Sequence, residues 1–300
     1  MKAVSQQILG GPEVLETVEV PLPTLRPGQV LIRLAATSVN PVDCKLRAGQ
    51  VGFLGEPPFT LGFDLSGTVT EVGEGVSEFR SGDQVFGMVH TRTGTYSEYV
   101  TARADSLARC PAGLDLQTAA ALPTAALTAW QALELAELRS GERILIHAAA
   151  GGVGHLAVQF AKLRGARVIG TARTANHEFL RDLGADELID YTTTDFTTAI
   201  DEVDVVLDLV GGDYGSRSLR VLTPDGRYIT AQQSNTGDDS RAALITGRPS
   251  PADLSTIGKL AESGQVRVHI DRVLSLAAAA EAHRLSESGR VRGKLVLTPW

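Results

Sequence analysis

Three small residues at fixed spacing, Ala149, Gly151 and Gly154, interrupt an apolar stretch that runs from Arg143 to Lys162. Before them, Ile144 to Ile146 reads as a buried strand of a parallel sheet. After them, Leu156, Ala157, Phe160, Ala161 and Leu163 recur at helical spacing. Strand, glycine turn and helix, in that order, form the context in which such a run binds a dinucleotide. The turn must be tight, the backbone must come close to a pyrophosphate, and the new helix must pack on the strand. Small residues at 149, 151 and 154 meet those needs, with Gly152 and Val153 between them. The first N–H groups of the helix then face the phosphates.

Arg167-Val-Ile-Gly-Thr171 reads as the second strand of the unit, about 20 residues on, where the ribose of the cofactor is recognised. Its end selects the cofactor. A free 2′-hydroxyl is read by a carboxylate, whereas a 2′-phosphate needs a cation. The residues here are Thr171, Ala172, Arg173 and Thr174, with no acid before Glu178. Two unit charges in contact are worth about 4 kcal/mol at an effective dielectric of about 20, so Arg in place of an acid matters greatly to a dianion. The cofactor expected is NADPH, bound across Gly151, Gly152, Val153, Gly154, Thr171 and Arg173.

Other elements position these residues. Val203 to Gly212 supplies a further buried strand ending in glycines, and three such strands at βαβ spacing predict a doubly wound sheet. Ahead of it the chain is β-like. Strands are expected over 1–9, 14–20, 30–36, 67–72, 84–89 and 96–100, with Gly73 to Gly75 and Ser81 to Asp83 as turns. That density predicts a small barrel or sandwich. Residues 117–138 read as helix broken at Pro123, and 277–288 as a helix between strands 266–273 and 294–297.

Composition bounds the function. The 300 residues predict about two domains, and 43% hydrophobic with 21% charged residues describe an ordinary globular chain. A net charge of −7 argues against nucleic-acid or anionic-membrane partners. Cys44 and Cys110 are the only cysteines, too few for a disulfide framework, and no signal peptide is evident, so the cytoplasm is the expected compartment. No apolar run is long enough to span a bilayer.

Several segments together resemble the medium-chain dehydrogenase/reductase superfamily, in its zinc-independent quinone oxidoreductase branch and close to its enone and alkenal reductases. They are Ser38 to Gly49, Leu61 to Val69, Leu127 to Leu133, Ala149 to Gly154, Leu183 to Asp186 and Gly293 to Leu297, in the order of the family and across nearly the whole chain. The resemblance implies a β-rich, barrel-like (GroES-like) catalytic domain, 1–120 plus 266–300, with a Rossmann NADP-binding domain, 121–265, inserted in it. It also implies a homodimer.

Zinc is not expected. The alcohol dehydrogenase relatives carry a His followed by Glu where this chain reads Gly62-Phe63-Asp64, and two cysteines cannot make a four-cysteine site. Without zinc, hydride transfer favours electron-poor acceptors, quinones or α,β-unsaturated carbonyls, and the protein supplies orientation and a hydrogen bond to the developing oxyanion. The resemblance places Asn40 beside the nicotinamide as that donor. It places Lys45 where it polarises the enone oxygen, with Asp43 holding Lys45 or the loop; the alternative for both is a partly solvated structural pair. Arg47 reads as a structural contact between loops. By the same resemblance Thr128 lies near the nicotinamide ribose, Tyr191 packs at the 2′-phosphate end, and Val210 and Gln232 close over the nicotinamide. His147 reads as a hydrogen-bonded core residue, His155 as a helix-start residue, and His177 as a partner for Arg173 or a solvated side chain; His283 shows no partner pattern. The segment after Gln232 is shorter than in longer relatives, which bears on substrate size and the subunit edge. Two rivals to NADPH-dependent quinone or enone reduction are an enoyl-thioester reductase and a non-enzymatic NADPH-binding protein with a structural or redox-sensing role.

Overall fold

The predicted strand forms as Arg143–Ile146 and lies between two parallel neighbours, Arg167–Thr171 and Val203–Asp208. Glu187–Ile189 extends the sheet on one side, and Leu222–Thr230 and Ala242–Leu244 extend it on the other. Numbered along the chain, the six parallel strands lie in the order 3-2-1-4-5-6, a doubly wound Rossmann sheet. The order reverses beside Arg143–Ile146. Leu145, Ile169, Val206 and Tyr228 form its core. The centres of the strands, 144–146, 168–169 and 205–207, are apolar and buried, as a sheet covered on both faces requires. This computed structural model describes residues 1–300, and by packing they form two units, 125–248 and 1–124 with 249–300.

The second unit is built on one long strand, Gln29–Val39, which pairs antiparallel with Asp64–Val72, Tyr99–Arg103 and Lys294–Thr298. Seven strands share that sheet, and Lys2–Gln6 forms a separate three-stranded sheet with Glu16–Glu19 and Phe59–Thr60. The last strand of the chain thus pairs with one from its first forty residues. This is the β-rich unit expected from the density of short strands.

Three details differ from the sequence reading. The strand expected from Tyr96 begins at Tyr99, because Tyr96 turns inward and its N–H donates to the Leu61 carbonyl. The strand expected from Val266 begins at Ile270. The helix Pro251–Glu262, within the span expected for the nucleotide domain, packs with the β-rich unit instead. Its Gly258 lies against Phe86 and Pro111, and Glu262 accepts the Gly113 N–H at 2.8 Å.

A short helix, Pro41–Arg47, carries the residues of interest in this unit and is fixed by Arg47. That buried guanidinium donates to the Gly10 carbonyl at 3.0 Å, to Glu287 at 2.5 Å and to His283 Nδ1 at 3.1 Å. Guanidinium only donates, so His283 Nδ1 accepts, its proton sits on Nε2, and Nε2 donates to the Tyr96 hydroxyl at 3.1 Å. Arg47 is therefore the structural contact expected of it. His283, which showed no partner pattern in sequence, completes the bridge between helices Pro41–Arg47 and Ala279–Glu287.

Burial, with the Arg47 charge second, depresses His283 from 6.5 to about 3. A depressed folded value means that the stability it contributes is fully present above 6.5 and is lost as pH falls toward 3. His283→Gln should be less stable than wild type at pH 7.5, and that deficit should shrink on acidification. Thermal unfolding of both proteins across this range reads the difference; a deficit that grew in acid would contradict the neutral bridge.

Candidate active site

In the β-rich unit, one buried carboxylate gathers the polar groups. Asp64 opens its strand with no solvent exposure, because the preceding turn Leu61-Gly62-Phe63 is itself buried. It accepts from Asn40 Nδ2 at 2.8 Å, from the Thr124 N–H at 2.7 Å, from Thr124 Oγ1 at 2.6 Å, and from the Ser38 hydroxyl. Lys294 arrives on the C-terminal strand, 3% exposed. Its Nζ stands 3.5 Å from Asp64 Oδ2 and donates to Asn40 Oδ1 at 2.5 Å and to the Val39 carbonyl at 3.3 Å. Burial lowers the affinity of Lys294 for its proton, while Asp64 and then Asp43 raise it.

Asn40 is the N-cap of Pro41–Arg47 and is nearly fully buried. Proline at the first helical position suits a helix start, since its missing N–H would be unsatisfied there anyway. Asp43 sits one turn in, and its carboxylate accepts the Asn40 N–H at 2.8 Å and the Gly62 N–H at 3.0 Å. Of the two tasks considered for Asp43, it performs the second: it ties the helix start to the 61–63 turn. Residues two apart on a helix point to different sides, so Asp43 does not hold Lys45. Lys45 is half-buried on the same helix. Burial, partly opposed by the two N–H bonds and aided by Asp64, pushes Asp43 up to about 7.

The donor set does not fit zinc. The segment Gly62-Phe63-Asp64 holds no His, and no three His, Cys, Asp or Glu side chains converge on a point. Burial, reinforced by Asp43, pushes the Cys44 thiol up to about 12, so it offers no thiolate.

The nucleotide unit places its expected residues, Thr128 apart, along the carboxyl ends of the parallel strands, where doubly wound sheets bind ligands. After Ile146 the chain turns through Ala148, a non-glycine residue with φ +51°, and enters helix Gly154–Leu163. A Cβ on Gly154 would stand 2.4 Å from the Ala148 carbonyl oxygen, so only glycine allows the helix this close to the strand. Gly151, Gly152 and Val153 are half-buried, whereas Thr171 is buried and takes the Ala148 N–H at 3.3 Å. Thr171 therefore holds the fingerprint turn.

Arg173 is exposed, donates from Nε to Tyr191 Oη at 3.1 Å, and forms no ion pair. Asp190 lies next to Tyr191, yet its carboxylate is occupied by the N–H and hydroxyl groups of Thr174 and Thr192. These bonds hold it below the usual carboxylate range. The arrangement fits a 2′-phosphate: a cation without an internal counter-ion, beside an exposed ring. His177, read as a partner for Arg173 or a solvated side chain, instead donates from Nε2 to the Ala172 carbonyl at 3.1 Å.

Val210 is exposed in the turn after Val203–Asp208 and Gln232 is half-buried after Leu222–Thr230. Asp208 organises both turns by accepting the N–H groups of Val210 and Gly211 and the Ser234 hydroxyl at 2.9 Å. Thr128 is nearly buried in helix Pro123–Leu135, against the backbone of Gly247. His147 is the core residue expected, 3.2 Å from Thr171 Oγ1 and 3.0 Å from Ser218 Oγ, and burial lowers it to about 4.

Asp64, Lys294, Thr124 and Asp208 were missed as site residues. A signal existed for two of them. Lys294 in Lys-Leu-Val-Leu and Asp64 in Leu-Gly-Phe-Asp-Leu are lone charges of opposite sign within apolar strands.

Comparison with known proteins agrees with this fold. Residues 183–297 match the family described as zinc-binding dehydrogenase, and residues 26–112 match the alcohol dehydrogenase GroES-like domain. A 2-methylene-furan-3-one reductase of Solanum lycopersicum is 34% identical across 100% of this chain and 79% of its own length. The quinone oxidoreductase of Coxiella burnetii superposes with a TM-score of 0.94 at 41% identity, covering 99% of both chains. The Escherichia coli quinone oxidoreductase complexed with NADPH superposes with a TM-score of 0.89 at 30% identity, covering 100% of both.

Proposed function

The chain belongs to the medium-chain dehydrogenase/reductase superfamily, and we propose that it is a zinc-free, NADPH-dependent reductase of quinones or α,β-unsaturated carbonyls. The observation that carries the reading is Arg173, an exposed cation with no ion pair at the end of the second Rossmann strand, hydrogen-bonded to Tyr191. Such a group matches a dianionic 2′-phosphate and would be poorly matched to a bare ribose.

The fingerprint turn Gly151 to Gly154 would hold the pyrophosphate, and Thr128, Thr171, Val210 and Gln232 would line the remainder of the cofactor site. Bound NADPH supplies the hydride. The chain supplies polarisation: the Asn40 amide donates to the developing oxyanion of the acceptor, and Lys45 adds a positive charge to it. Asp43 fixes the helix from which both project. Lacking a zinc donor set at Phe63, the site suits acceptors that already carry a low-lying carbonyl or ring system.

We also infer a homodimer formed along the free edge strand Ala242–Leu244, where Leu244 is 64% exposed. Light scattering at twice the 31.7 kDa chain mass supports it, and the chain mass alone refutes it. No helix is long and apolar enough to cross a membrane. A cytoplasmic location is part of this reading, and cell fractionation tests it.

Metal-free protein should oxidise NADPH with a quinone or a short enone in preference to an enoyl thioester. The reverse order would favour thioester reduction, and NADPH binding with no turnover would favour a binding protein. Arg173→Asp should cut kcat/KM for NADPH by at least about a hundredfold while sparing NADH. Unchanged selectivity would remove Arg173 from the phosphate site. Lys45→Met should lower enone kcat/KM about tenfold with NADPH affinity intact; an unaltered rate would make Lys45 a structural residue.

A further inference from the structure

A side-chain amide has two ends of similar shape, and only its hydrogen-bond partners decide which end is which. At Asn40 the partners leave no choice. Lys294 Nζ has only hydrogens to offer and stands 2.5 Å from one end, which must be Oδ1. Asp64 is already an acceptor for Ser38 and Thr124 and stands 2.8 Å from the other end, which must be Nδ2. Reversing the amide would set N–H against an ammonium and oxygen against a carboxylate, two repulsive contacts in place of two bonds.

The consequence reaches the reaction. Nδ2 carries two hydrogens, and Asp64 takes one of them. The remaining N–H meets no acceptor of this chain. Because the amide cannot turn over, that position always presents a donor and never an oxygen. A donor aimed in advance at the place where negative charge develops stabilises it without reorganisation, whereas a freely turning amide presents its oxygen part of the time.

We propose that Lys294 and Asp64 are positioning residues of the reductase reaction, clamping the Asn40 amide so that its free N–H faces the acceptor oxygen. The proposal rests on Asn40 being the oxyanion donor of the proposed function. Lys294 and Asp64 reach the reaction only through Asn40. Both are buried, and each closes further bonds to the fold: Lys294 with the Val39 carbonyl, Asp64 with Ser38 and Thr124.

The experiment is a double-mutant cycle read as kcat, KM and NADPH dissociation constant, with a quinone or short enone as acceptor. Asn40→Ala, Lys294→Met and the combined variant are compared with wild type, each checked for a native thermal transition. The expected result is a fall in kcat of at least about tenfold for Lys294→Met, with the NADPH dissociation constant unchanged. The combined variant should be no worse than Asn40→Ala alone, since both changes remove one donor. Losses that multiply, or a Lys294→Met enzyme with the wild-type kcat, overturn the clamp while leaving Asn40 in place. A wild-type rate for Asn40→Ala overturns the oxyanion role itself and with it the clamp. Where Lys294→Met alone does not fold, Asp64→Asn with Lys294→Met removes both buried charges together. That pair should fold and still lose at least about tenfold in kcat; full activity would refute the clamp.

Discussion

A lysine and an aspartate buried side by side set the terms for the β-rich unit. Their attraction at 3.5 Å is worth about 5 kcal/mol at an effective dielectric of about 20, while removing both ions from water costs several kcal/mol each. Coulomb energy alone does not offset that cost. The balance comes from hydrogen bonds, with Asp64 accepting from Ser38, Asn40 and Thr124, and Lys294 donating to Asn40 and Val39. Three separate strands and a helix start must therefore meet at one point. The long strand Gln29–Val39, the strand Asp64–Val72 and the C-terminal strand Lys294–Thr298 are locked in register there.

The nucleotide unit obeys a different constraint, close approach of backbones. Gly154 lets a helix start against the Ala148 carbonyl, and the positive φ of Ala148 turns the chain into that helix. Around this turn the carboxyl ends of the strands are organised by two acids that form no ion pair with Arg173. Asp208 collects the N–H groups of the Val210 turn, and Asp190 is saturated by Thr174 and Thr192. Their charge goes into shaping loops. Arg173 is thereby left without an internal counter-ion, although an aspartate lies close by in sequence to its neighbour Tyr191.

The chain matches a family described as zinc-binding dehydrogenase, yet no three His, Cys, Asp or Glu side chains converge in it. Asp64 is committed to an ammonium and an amide. The buried histidines follow the same pattern. His147 and His283 are depressed by burial and act as neutral hydrogen-bonding links between elements, not as proton carriers.

Local patterns were enough to locate the Rossmann unit: an apolar strand, a glycine turn, a helical repeat and a basic second-strand end are all defined by neighbours in sequence. The density of short strands pointed to the β-rich unit, and the resemblance spread over the whole chain added its family. What sequence did not reveal was the company each residue keeps. Asn40 was singled out, but the partners that orient it come from positions 64 and 294, and Arg47 meets a histidine at 283. Asp43 was read as holding Lys45 or the loop, and only the fold decides between them, giving its carboxylate to the Asn40 and Gly62 N–H groups. Periodicity reports which face of an element is buried. It carries no information about which distant charge is buried against it, because strand pairing between the two ends of the chain is decided only when the sheet closes.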